Sequence, residues 1–114
     1  MTTPTPYRSV FVPGLLTGQV IMVTGGGSGI GEGAARYLAG LGARVTITGR
    51  RADRIRTVAE SIGSLCHWVE GDVCQSADRQ RMLDAALAHG GGTLFGLINN
   101  AGITHHSGLA GLDE

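Results

Sequence analysis

Residues Val20–Gly40 read VIMVTGGGSGIGEGAARYLAG, and this stretch decides the fold. It opens on a short continuous apolar run, Val20–Thr24, whose β-branched residues and abrupt end at glycine predict a strand buried on both faces. Five of the eight residues from Thr24 to Gly31 are then glycine. After them the period changes: Ile30, Ala34, Tyr37, Leu38 and Leu41 fall at helical spacing and predict an inward face. Glu32 and Arg36, four apart, belong on the outer face, and Gly40 and Gly42 mark the end of the helix.

A glycine cluster between a buried strand and an amphipathic helix has a physical use. The helix start carries unpaired N–H groups and about half a positive charge, so it attracts a pyrophosphate if the backbone can approach closely. On this reading Gly25 makes the tight turn off the strand, Gly29 leaves room for a phosphate, and Gly31 lets the helix pack on the sheet. Ser28 adds a hydroxyl. The plain alternative is a flexible turn. The spacing is TGxxxGxG, not GxGxxG.

Downstream the alternation continues. Arg44–Thr48 predicts a second strand. The segment from Arg50 to Ile62 predicts a helix with Ile55, Val58, Ala59 and Ile62 inward. Leu65–Val69 predicts a third strand, with Cys66 in the core. A third helix follows, with Ser76 as its N-cap and Met82, Leu83, Ala86 and Leu87 on the apolar face. Gly90–Thr93 is a loop, and a fourth strand lies around Leu94–Ile98. The order β-α-β-α-β-α-β requires a parallel sheet with flanking helices, an α/β fold of the Rossmann type that stops after its fourth strand. Residues 1–18 read as an irregular leader containing three prolines, and 19–114 as the folded part.

The totals narrow the function classes. The chain has 114 residues, enough for one domain, with 42% hydrophobic and 16% charged residues, which favours a packed core. Net charge is zero, so neither nucleic acid nor an anionic membrane is an expected partner. The N-terminus lacks a signal-peptide core, so a cytoplasmic location is expected. Cys66 and Cys74 read as reduced thiols. Cys66, His67, Cys74, His105 and His106 lack ligand-pair spacing, so no metal site is expected.

TGGGSGIG (24–31) together with NNAG (99–102) resembles the short-chain dehydrogenase/reductase family. The resemblance implies a Rossmann-type domain that binds NAD or NADP. It places Gly25, Ser28, Gly29, Ile30 and Gly31 along the pyrophosphate, Asp72 at the adenine amino group and Val73 beside the ring. Asp72 as a plain turn residue is the competing reading. Asn99, Ala101 and Gly102 would border the adenosine ribose. The leader YRSVFVPGLLTGQV, from Tyr7, looks like that of bacterial members related to trans-2-enoyl-CoA reductase and citronellol-type dehydrogenases.

At the end of the second strand an acidic residue would hold a ribose 2′-OH. Gly49 stands there instead and Arg50 follows, offering a planar fork for phosphate oxygens, so NADP is expected rather than NAD. The alternative is that Arg50 and Arg51 only open the second helix as solvated charges. Members of the family use a tyrosine with a lysine four residues later. All nine basic residues here are arginine, so no such pair exists, and no catalytic residue is assigned. The expectation is the N-terminal, cofactor-binding part of such an oxidoreductase, inactive alone, with substrate and oligomer contacts in a longer parent. A dinucleotide-binding module without catalysis, or an inert fragment, is the alternative. His105 and His106 would lie near a substrate cleft or simply in a solvated loop. A bare outer edge on the fourth strand would make the 114-mer marginal or aggregation-prone.

Overall fold

The computed structural model describes residues 10–101. Seven elements alternate along the chain: β1 (Val20–Thr24), α1 (Gly29–Gly40), β2 (Arg44–Gly49), α2 (Ala52–Ile62), β3 (Cys66–Glu70), α3 (Ser76–His89) and β4 (Gly96–Asn99). All strand pairs are parallel and the sheet order is β3-β2-β1-β4. Val23 is level with Ile47 on one side and Ile98 on the other. The chain therefore steps outward from β1 to β3, then crosses back to put β4 on the far side of β1. That reversal opens a crevice at the carboxyl ends of β1 and β4.

The two faces of the sheet are covered unequally. Ile21, Val23, Val45, Ile47 and Cys66 pack with Ala35 and Ala39 of α1 and Ile55, Val58 and Ala59 of α2. On the opposite face Met22 packs with Met82 and Ala86 of α3, flanked by Val69, Val73 and Leu94. Strand side chains alternate between faces, so Thr46 and Thr48 fall on the α3 side while their apolar neighbours fall on the larger core.

The inward face of α1 differs from the periodic reading. Its buried positions are Gly31, Ala35 and Ala39, joined by Leu38, while Ile30 is 81% exposed. The cause is close approach. A Cβ on Gly31 would overlap the Gly25 carbonyl and lie 2.7 Å from Asn100 Nδ2, so a stripe of small residues brings the helix onto the sheet. Tyr37 does not enter the core; its ring meets Phe11 edge-on at 6.2 Å between centroids. Smaller shifts occur elsewhere: β3 starts at Cys66, β4 at Gly96, and the N-cap of α3 is Gln75, with Ser76 the first helical residue. No described helix is long and apolar enough to cross a membrane.

Candidate functional site

The site is built from four loops that meet over the carboxyl ends of the strands. A cleft of about 460 Å³ is lined there by Gly25, Ser28, Thr48, Gly49, Arg50, Gly71, Asp72, Val73, Cys74, Asn100 and Ala101. It lies at the turns following β1, β2, β3 and β4, where an open parallel sheet places its ligand.

The glycine turn is held from both sides. The Gly25 and Gly26 N–H groups both donate to the Thr48 carbonyl, at 2.9 and 3.0 Å, which ties the turn to the end of β2. Gly25 has φ +71°, a conformation that side chains disfavour. Ser28 is the N-cap of α1 in extended conformation, yet its side chain makes no capping hydrogen bond, and the residue lines the cleft. Gly29 follows with φ +60°, and no atom lies within 4 Å of where its Cβ would be. Gly29 thus opens the 12-residue helix with its Cβ position facing open space, so the backbone of this first turn is uncovered.

The wall from β4 is pinned by one hydroxyl. Thr24 Oγ1 accepts the Asn100 N–H at 2.9 Å and the Ala101 N–H at 3.0 Å. Its own proton is directed at Asn99 Oδ1, 3.3 Å away, or at the Ile98 carbonyl, 3.4 Å away. Asn100 Nδ2 donates to the Gly25 carbonyl at 3.2 Å, closing the ring of contacts back onto the glycine turn. The opposite wall uses two aspartates. Asp72 Oδ1 accepts the Cys74 N–H at 2.9 Å, and the Asp72 N–H donates to Asp78 Oδ2 at 2.9 Å. That hydrogen bond, which outweighs the opposing effect of desolvation and is helped by Arg81, holds the Asp78 carboxyl below its ordinary value. Arg50 is exposed at the rim, and among the described residues no carboxylate forms an ion pair with it.

Of the residues expected from sequence, Gly25, Ser28, Arg50, Asp72, Val73 and Ala101 line the cleft together. Gly29 and Ile30 are exposed in the first turn of α1, and Gly31 lies buried beneath as packing. Asn99 does not line the cleft; it stands behind the wall as the partner of Thr24. Gly102, His105 and His106 lie outside the described residues. Thr24, Thr48, Gly71 and Asn100 carry no signal that periodicity reads. The Thr48 hydroxyl is buried and has no hydrogen-bond partner among the described residues.

Residues 19–114 match the profile of the short chain dehydrogenase family. The chain belongs to that family. Among its relatives, the citronellol catabolism dehydrogenase of Pseudomonas aeruginosa has a solved structure that superposes with a TM-score of 0.81 at 41% identity, covering 95% of this chain and 45% of that one. A 3-ketoacyl-(acyl-carrier-protein) reductase from Brucella melitensis, solved as a complex with NADH, superposes with a TM-score of 0.78 at 40% identity, covering 86% of this chain and 40% of the other. An 11-beta-hydroxysteroid dehydrogenase-like protein of Arabidopsis thaliana is 39% identical over 92 residues, 77% of this chain and 30% of its own length. The chain thus spans less than half the length of each of these short-chain dehydrogenase relatives. The likeness to citronellol-type dehydrogenases expected from the leader is present among the solved structures.

Proposed function

We propose that this chain is the cofactor-binding part of an NAD(P)-dependent short-chain dehydrogenase. It serves hydride transfer to or from a small carbonyl, alcohol or enoyl thioester, and it takes NADP in preference to NAD. The observation that carries this reading is the cleft at the β1–β4 reversal, where the glycine turn ahead of α1, through Gly25 and Ser28, shares one lining with Arg50 and Asp72. When bound, the dinucleotide supplies or accepts the hydride.

The chain's own residues bind and orient. Gly25, Ser28, Gly29 and Ile30 present backbone N–H groups and one hydroxyl to the diphosphate, and Gly31 keeps α1 close enough to aim its dipole there. Arg50 takes the 2′-phosphate, because its guanidinium has no competing carboxylate and Gly49 offers no acid to a 2′-OH. Asp72 has one oxygen engaged in its turn and leaves the other for an adenine N–H, while Val73 flanks the ring. Ala101 and Gly102 border the ribose, with Asn99 acting from behind through Thr24. The tyrosine and lysine of the reaction come from a segment outside these 114 residues, since the chain holds no lysine. That same lack of lysine favours one other reading, a dinucleotide-binding module with no chemistry of its own.

Calorimetric titration with NADP and NAD, alongside a thermal melt, tests the proposal. Binding of NADP about tenfold tighter than NAD is expected, with Arg50→Ala removing the difference and leaving NAD unchanged. A folded chain that binds neither nucleotide overturns the reading. Hydride transfer measured on a longer chain containing a Tyr-x-x-x-Lys segment separates the enzyme from the module.

A further inference from the structure

Away from the cleft, on the α3 face of the sheet, two histidines from distant parts of the chain meet. His67 is the second residue of β3 and is level with Thr46 of β2. His89 is the last residue of α3. Their rings stack with centroids 3.5 Å apart and planes 11° from parallel. His89 Nδ1 lies 3.2 Å from Thr46 Oγ1, a hydroxyl on a residue only 1% exposed, for which this is the hydrogen bond in place. Arg44, the first residue of β2, donates from its guanidinium to the His89 carbonyl at 3.4 Å. The charged or titratable groups around the His89 ring are therefore Arg44 from β2 and His67 from β3. Among the described residues no carboxylate pairs with either imidazole.

Parallel stacking at this distance suits two neutral rings and opposes two cations, all the more beside a guanidinium and with no counter-charge. We propose that the stacked His67–His89 pair is a pH-sensitive clasp: neutral, it holds the C-terminal turn of α3 on β2 and β3, and protonation in mild acid releases that turn. The turn leads through Gly90–Thr93 to β4, which runs into the Asn100–Ala101 wall of the cleft, so release loosens one side of the site.

The direction follows from linkage. Burial first, then the charges of His67 and Arg44, hold His89 below its ordinary value. The unfolded chain then binds more protons than the folded one between that lowered value and the ordinary one of about 6.5. The contribution is complete above the ordinary value and is lost as pH falls through the lowered one.

Histidine ring NMR and backbone hydrogen exchange on the full chain, from about pH 7.5 to about pH 5.5, test the clasp. His89 is expected to titrate below the ordinary imidazole value. Amides of residues 86–93 should exchange about tenfold faster in acid, after correction for intrinsic rates, while those of α2 do not. His67→Phe keeps a stacked ring and removes one charge, so it should shrink that acceleration and flatten the pH dependence of the melting temperature. His67→Gln serves if the phenylalanine fails to fold. His105 and His106 are present in every variant, so their background cancels. Titration of His89 at or above the ordinary value, or an acid response that survives both His67 variants, overturns the inference.

Discussion

Single glycines in this chain answer to different constraints, and substitutions separate them. Gly31 touches the carbonyl of Gly25, so Gly31→Ala forces the helix off the turn. It should cost about 1–3 kcal/mol in chemical denaturation and weaken dinucleotide binding together. Gly33, two residues on, is exposed on the same helix with nothing within 4 Å of its Cβ position. Gly33→Ala should stabilise by about 0.5–1 kcal/mol with binding unchanged, because alanine narrows the unfolded ensemble without a clash. Thr24→Val keeps the shape of β1 but strands the Asn100 and Ala101 N–H groups, at an expected cost of about 1–3 kcal/mol in the same assay. Gly25, Gly29 and Gly31 were legible in sequence because backbone conformation and contact leave no other residue type. Thr24 was not, since one hydroxyl serving two distant amides has no local pattern. The thiols also divide. Burial pushes Cys66 up to about 11, against a partial pull from Arg36, while Cys74 is exposed in the cleft. A thiol reagent near neutral pH should modify Cys74 at once and Cys66 only on unfolding.

At the scale of elements, α3 is fixed at both ends by polar contacts and in the middle by Met82 and Ala86. The apolar spacing of that middle is a local signal, but it marks four residues where the core takes two: Leu83 and Leu87, expected on the same face, are half-buried and outside that cluster. Ser76 looked like a cap because its residue type suits one, but the structure starts α3 at Ser76 and gives the loop's order to Asp78. That carboxylate reaches back six residues to the Asp72 N–H. Its value is depressed, so its contribution is present above the ordinary carboxylate range and is lost as pH falls through the lowered value. The Asp72 amide resonance should therefore shift on acidification below about pH 4, and Asp78→Asn should remove that step while loosening the cleft wall. Helix α1 shows the opposite failure. Helical periodicity placed Ile30 inward, yet contact with the glycine turn selects a face of small residues instead.

For the whole molecule the decisive feature is incomplete cover. On the second face α3 lies over β1, β2 and β3, while Leu97 of β4 is 54% exposed and Phe95, just before that strand, is 66% exposed. Among the described residues β4 pairs only with β1, so its outer edge also presents unpaired backbone groups. Such an edge recruits other chains. Sedimentation over a range of concentrations should show self-association, and Leu97→Lys should reduce it without lowering the melting temperature. A concentration-independent monomer would go against this expectation.

The sequence by itself determined the alternation of strand and helix, the parallel sheet that alternation demands, and the glycine turn at the head of α1. Each of these follows from local periodicity or from a backbone conformation open only to glycine. Tertiary structure alone decided which neighbours the strands take, and hence that the turns after all four strands share one cleft. It also decided that Thr24 and Asn100 tie two cleft loops together and that His67 stacks on His89. Those contacts join residues 22 to 77 positions apart, and no local rule of spacing or propensity acts over such distances.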